Sequence, residues 1–449
     1  MNKLITMIIA TVLLLASCKK YLDEKSDKSL VVPATLQDVQ ALLDNYSTMN
    51  ATYPYIGSQG DDDFYVTDTY FNTLSVTNQD NYIWSKDAEN KNEWTYMYRA
   101  VMAANLALET LDKITPTSAT ISDWNRLKGS ALFFRAYAFY QLAQYYALPY
   151  NKATAAQKLG IPLRLSTDVN ELSVRSSLEN TWQQIVSDLR MAVQLLPAQN
   201  TEVYHPSKAA AFGALARTYL AMEDYVQAGN YADSCLQLNS SLMDYNSLNA
   251  AASNPFTRWN TEVIFSSVCL GASMLSVNNW KCDSLLYQSY DQNDLRKTCF
   301  FKANSGGVYG FKGNYDGTTS SSFFNGIATD EMYLIKAECQ ARNNNVTEAM
   351  NALNDLLTTR WRATTFVRLT ASDADQALRI ILTERRKELV LRSTRWFDLR
   401  RLNKDVRFAK TLTRKISGQL YTLPPDDNRY THYIPFNVIA ITGMQQNER

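Results

Sequence analysis

Histidine is almost absent from this chain: among 449 residues there are two, His205 and His432. Neither sits in a ligand-spaced motif, and no two cysteines form a CxxC pair. The sequence therefore carries no zinc or non-haem iron signature, and no metal or cofactor is expected. A surplus of charge is missing too, since 45 Lys+Arg against 44 Asp+Glu leave a net +1. That balance gives no bulk attraction to a polyanion, which sets nucleic acid aside as a partner. Beyond Leu15 no apolar run approaches the ~20 residues that a membrane-spanning helix needs. The mature chain is thus not expected to be integral to a bilayer.

What is plentiful is aromatic: 27 Tyr, 17 Phe and 8 Trp. With 46% hydrophobic and 20% charged residues, the composition is that of a globular protein. The chain is long enough for one large domain or two to three ordinary ones.

The start of the chain has its own pattern. Lys3 gives a positive beginning, Leu4–Leu15 is apolar, and Ala16-Ser17 are small. This layout predicts a signal peptide over residues 1–17. Leu15-Ala16-Ser17-Cys18 has the form of a bacterial lipobox, so Cys18 is expected to carry the lipid anchor. Residues 18–34, polar and charged in their first half, read as the lipidated cysteine and its tether. With Cys18 used as an anchor, five cysteines remain, so at least one thiol stays unpaired. After the tether, Thr35 is a candidate N-cap for a helix carrying Leu36, Val39, Leu42 and Leu43 on one face.

The clearest periodicity is "SKAAAFGALARTYLAMEDYVQAGNYADSCLQL", 207–238. Two amphipathic helices meet at Glu223-Asp224. Phe212, Ala216, Tyr219, Ala228, Ala232 and Cys235 fall at the offsets of a tetratricopeptide (TPR) unit. This makes Cys235 a packing residue. A second copy spans 331–357, with "NNN" at 343–345 as its turn. More degenerate pairs are expected at 91–113 with 122–147, and a helix at 178–196. The predicted fold is mostly α: a bundle of TPR-like helix pairs that stack because no single pair can bury both faces. Two long stretches, 51–90 and 239–328, break the periodicity. They are rich in Gly, Asn, Asp, Ser, Tyr and Phe, and their aromatic content argues for order and function.

"ILTERRKELVLRSTRWFDLRRLN", 381–403, is helical with a break near Ser393-Thr394. Glu384, Arg385, Glu388, Arg392, Arg395, Asp398 and Arg401 fall at i,i+3 and i,i+4 spacings. A carboxylate among so many arginines has a lowered pKa, which suits an ion network joining two helices rather than a general acid.

Several blocks together carry a resemblance. They are the lipobox with "CKKYLDE", "ALFFRAYAFYQLAQYYALPY" at 131–150, the TPR-like 207–238, "MYLIKAEC" at 332–339, "ERRKELVLRSTRWFDLRR" at 384–401 and "YIPFNVI" at 433–439. On these the chain resembles the SusD/RagB family of Bacteroidetes outer-membrane nutrient-binding lipoproteins. One departure is Arg392-Ser393, where the family often has Glu-Gly. The resemblance implies a non-catalytic, surface-exposed lipoprotein of the outer membrane. It implies a helical SusD-like N-terminal region over 35–238 and a RagB/SusD-like C-terminal region over 239–449. It also implies delivery of an oligo- or polysaccharide, or a peptide as in RagB-like members, to a SusC-like TonB-dependent transporter.

Two other readings compete. A lipid-anchored glycoside hydrolase needs two carboxylates ~5–10 Å apart across a cleft, and "GDDDF" at 60–64 offers only adjacent acids in a loop. A TPR scaffold would bind a protein partner alone. For a nutrient binder, the two irregular stretches supply aromatic faces with neighbouring polar groups. Asp62, Asp63, Tyr65 and Trp84 are the candidates in the first, and Trp280, Tyr290 and Tyr309 in the second. The anchor is directly testable. Metabolic labelling with a tagged fatty acid should mark the wild-type chain and not Cys18→Ala, and equal labelling of both would exclude lipidation at Cys18.

Overall fold

The structure, a computed structural model, describes residues 33–449. Cys18, the signal peptide and most of the tether lie outside the described residues. Helices of eight or more residues are numbered α1 to α10 in chain order. The first, α1 (Leu36–Leu43), begins at Thr35 as expected. The Thr35 hydroxyl accepts from the Asp38 amide at 3.1 Å, and the Asp38 carboxylate accepts from the Thr35 amide at 3.0 Å. This reciprocal capping box satisfies two otherwise orphaned donors.

The body is a run of neighbours in sequence that are neighbours in space. Its members are α2 (Lys91–Leu111), α3 (Ile121–Tyr146), α4 (Leu178–Leu195), α5 (Lys208–Ala221), α6 (Tyr225–Leu238), α7 (Thr329–Arg342) and α8 (Val346–Thr358). Each packs on the next, including α6 on α7 across the 239–328 stretch. That is the one-dimensional stacking of helical repeats. The two predicted turns fall where expected. Glu223 (φ +61°) and Asn344 (φ +64°) take left-handed backbone between the helices of each pair. Asn tolerates that conformation because its short amide bonds locally. In α3 every residue from Gly129 to Tyr146 is buried, so the helix shows no polar stripe and forms the centre of the core.

The two irregular stretches are folded together. Four short strands, β1 (Phe64–Tyr65), β2 (Lys281–Cys282), β3 (Phe301–Ala303) and β4 (Tyr309–Phe311), form an antiparallel sheet of order β1-β2-β4-β3. Phe64 pairs with Cys282, Tyr65 with Lys281, and Lys281 with Gly310. Beneath the sheet lies a second core of Phe64, Tyr82, Trp280, Phe300, Phe311 and Phe323.

Helices α9 (Ala374–Glu388) and α10 (Arg395–Leu402) join this insertion unit to the helical body. The break between them contains Leu391 and Ser393, both with positive φ. Ser393 holds φ +57°, a backbone that glycine adopts without strain. The expected network is present, but most of its bonds are long-range. Glu388 accepts from Arg360 Nε at 2.7 Å and from Arg296 Nη1 at 2.9 Å. Arg360 in turn donates to both oxygens of Glu262, at 2.8 and 3.0 Å. Arg296 also holds Asp294 and Glu384, at 2.7 and 2.6 Å. Arg385 reaches Asp398 at 2.8 Å, Arg401 reaches Glu338 on α7 at 2.8 Å, and Arg392 reaches Asp330 at 3.0 Å. Among the residues expected to pair locally, Arg401–Asp398 keeps an i,i+3 spacing, and Lys387, outside that expectation, pairs with Glu384.

Arg296 and Arg360 are 0% exposed, so each guanidinium is tolerated only because its donors are paired. Arg360→Met leaves Glu262 and Glu388 without that partner. Denaturant unfolding should show a loss of about 3–5 kcal/mol, the usual cost of breaking a buried pair from one side, and an unchanged midpoint would contradict this role. The pH sign follows from Glu338. Burial alone would raise its pKa, but Arg401 beside it prevails and holds it at about 2. A carboxyl depressed in the folded state adds stability that is complete above its unfolded pKa and is lost as pH falls towards about 2. Glu338→Gln should therefore flatten the acid limb of the stability curve over that window.

Candidate functional site

The sequence-predicted acids are engaged in holding the fold. Arg395 grips Asp62 with both ends of its fork, at 2.7 and 3.0 Å, and Lys410 adds a bond at 2.7 Å. Burial pushes the Asp62 carboxyl up, but Arg395 and Arg386 outweigh it and hold it well below the usual range. Asp63 is buried and accepts from Arg386 at 2.8 Å. Bidentate pairing of this kind fixes geometry and leaves little lone-pair capacity for a ligand.

The aromatic candidates divide by burial. The Trp84 indole donates to the Gly60 carbonyl at 2.8 Å, with the Arg414 guanidinium 4.7 Å from its ring. Trp280 stacks on Phe64 (6.0 Å between centroids, 9° between planes) and meets the edge of Tyr82. Tyr290 donates its hydroxyl to the Lys387 carbonyl at 2.7 Å. All three are buried, Trp280 and Tyr290 in the core of the insertions and Trp84 in that of the helical body. Tyr65 and Tyr309 are half-buried. Tyr309 lies stacked on Tyr287, and the Lys297 ammonium sits 5.1 Å from the Tyr287 ring. The structure thus brings Asp62, Asp63, Tyr65 and Trp280 together around β1 and β2, and sets Trp84 apart beside Arg414.

The tryptophan that does face solvent is Trp259, 43% exposed and held at φ +56°. Three separate segments meet there. Tyr46 comes from the short helix after α1, Tyr204 from the α4–α5 connection, and Trp259 from the second insertion. Tyr204 lies 5.7 Å from Trp259 and 6.1 Å from Tyr46, centroid to centroid. Arg258 sits 4.8 Å from the Trp259 ring and 5.3 Å from the Tyr46 ring. Its guanidinium donates to the Tyr46 hydroxyl at 2.8 Å and to Asp316 at 3.1 Å. At the rim, His205 Nε2 and Asp44 Oδ1 are 2.7 Å apart. A solvent-exposed indole with Arg258, Tyr204 and Tyr46 around it is suited to stacking on a flat, hydroxylated ligand. Trp259 and Trp280 are both flanked by polar residues in sequence, so no local signal separates the exposed one from the buried one.

Nucleophilic or metal chemistry has little to work with. Among the described residues the five cysteines are free and buried. Burial pushes the Cys235 and Cys269 thiols up to about 12 and Cys299 to about 11, away from the reactive thiolate. Cys235 also contacts the Ala209 carbonyl at 3.2 Å, the packing role that its repeat position predicts. Among the described residues no group of three or more His, Cys, Asp or Glu is placed to hold a metal ion.

Comparison with known proteins agrees with this architecture. Residues 20–220 match a family model described as "Starch-binding associating with outer membrane", and residues 302–436 match the SusD family model. No curated protein matches the chain. A SusD superfamily protein from Bacteroides thetaiotaomicron VPI-5482 aligns with TM-score 0.75 and 22% identity, over 92% of this chain and 100% of that one. A SusD superfamily protein from Bacteroides vulgatus ATCC 8482 gives TM-score 0.77 and 21% identity, over 92% and 99%. Surface glycan-binding protein A from Bacteroides uniformis gives TM-score 0.71 and 17% identity, also over 92% and 99%. At these identities the likeness establishes the fold.

Proposed function

This chain belongs to the SusD/RagB family of Bacteroidetes outer-membrane proteins, and from that premise we propose that it is a lipid-anchored, non-catalytic binder of oligo- or polysaccharide at the cell surface. The observation that carries this reading is the solvent-facing Trp259–Tyr204–Tyr46 platform with Arg258 beside it. Sugar rings offer C–H faces to an indole and hydroxyls to the groups around it. Tyr65 and the Tyr287–Tyr309 pair add half-exposed aromatics on the same insertions, and Trp280 and Tyr290 pack in the core of those insertions. The Asp62 and Asp63 carboxylates serve by fixing the first insertion, not by touching ligand. The surface glycan-binding protein from Bacteroides uniformis shares the fold, which supports a glycan as ligand.

Two further roles complete the proposal. Cys18 anchors the chain, and a SusC-like TonB-dependent transporter in the same membrane receives the cargo, since a tethered binder cannot itself carry a ligand across a bilayer. Of the eight tryptophans, Trp259 is the most exposed. Titration of the protein with a panel of glycans, starch oligosaccharides included, and of peptides should therefore change a fluorescence component that Trp259→Phe removes. Trp259→Ala should weaken the glycan by ~1–3 kcal/mol, the usual cost of truncating an aromatic anchor. Full affinity in Trp259→Ala would move the site elsewhere, and binding of peptides alone would replace the glycan reading with the RagB-like one.

A further inference from the structure

A cleft of about 1120 Å³ opens along the edge where the helix pairs turn, and it shares no residue with the Trp259 platform. Its wall is assembled from the start of α4, the α5–α6 turn, the end of α7 and the segments that follow α3 and α10. Some of the polar atoms there are fixed by hydrogen bonds, between elements or within one. The Tyr150 hydroxyl donates to Glu179 at 2.7 Å, and Arg190 donates to the Tyr219 hydroxyl at 2.7 Å. Lys404 donates to the Tyr150 carbonyl at 2.6 Å and pairs with Glu223. Asp224 is fixed by accepting from the Gln227 amide at 3.1 Å.

The chemistry of the lining points to one ligand class. Lys152, Arg190 and Lys404 balance Glu179, Glu223 and Asp224, so the cleft selects neither an anion nor a cation. Side-chain amides at Asn151, Gln183, Gln227 and Asn343 add paired donors and acceptors. Vicinal hydroxyls, each a donor and an acceptor, match such a surface. Tyr225 lies half-buried at the wall, with the Arg342 guanidinium 4.3 Å from its ring. Prearranged polar groups cost less to order on binding than free surface side chains. We propose that this cleft is a second binding site, separate from the platform, for a neutral oligosaccharide. The proposal rests on the glycan-binding reading for its ligand class but not for its location.

Hydroxyl-radical footprinting of the full-length protein in detergent tests it. The probes are maltoheptaose, cellohexaose, xylohexaose and mannohexaose, with oligogalacturonate as the charged control. At least one neutral probe should give saturable protection at Met222 and Tyr225, and Trp259→Ala should leave that protection unchanged. Combining Tyr225→Phe with Gln227→Ala should weaken protection at Met222 about tenfold, with protection around Trp259 unaltered. Absence of protection at Met222 and Tyr225 with every neutral probe overturns the proposal, as does stronger protection by oligogalacturonate. Loss of the cleft signal in Trp259→Ala also overturns it, because the two sites would then be one. Absence of protection at Trp259 alone would count against the platform and leave the cleft standing.

Discussion

The guanidinium of Arg360 bridges Glu262 and Glu388, and much else depends on that bridge. Glu262 precedes a strand of the second insertion, Arg360 follows α8, and Glu388 closes α9. Three segments far apart in the chain are fixed at one buried point. Arg296 extends the point to Asp294 and Glu384, and the neighbouring arginines carry it to Asp62, Asp330 and Glu338. Burying so many charges is not an efficient source of stability, because desolvation offsets most of the attraction. What it supplies is specificity: each guanidinium accepts only the arrangement that satisfies its donors. The insertions lack the helical periodicity that would place them by hydrophobic pattern, and the network places them instead.

This arrangement separates support from recognition. The helical stack provides the rigid body, and the ion network docks the insertion sheet on it. The sheet's inner aromatics then fill a second core, which leaves Trp259 and its neighbours free to face solvent. The proposed ligand surface at Trp259 shares no residue with the ion network, the division expected of a scaffold whose loops carry function.

The helical body was legible because its signals are local. Thr35 capped where its residue type and the following apolar face suggested, and the turns at Glu223-Asp224 and 343–345 fell between periodic segments. The ion network was legible only in kind. Its arginines and carboxylates in 381–403 were visible, but local spacing pointed to neighbours, whereas the partners Glu262, Arg296, Asp330 and Arg360 lie in segments with no comparable pattern. The insertion sheet was not legible at all. Strands of two or three residues carry no usable alternation, and Phe64 pairs with Cys282 across nearly half the chain. For the candidate site, composition pointed to the insertion that holds Trp259 but not to Tyr46 or Tyr204, and exposure of one tryptophan over another is decided by tertiary packing. Trp84 and Tyr290 went inward where the Gly60 and Lys387 carbonyls take their donors, and Trp280 where Phe64 and Tyr82 pack on its ring.

The central claim is that the buried ion network makes the insertion sheet and the helical body one cooperative unit. Native-state hydrogen exchange across a denaturant series measures this directly. Amides of the β2–β4 ladder, such as Gly310, are expected to share the opening free energy of amides in α7 and α9. Exchange of the ladder through a distinctly lower-energy opening, while α7 and α9 stay protected, would contradict it.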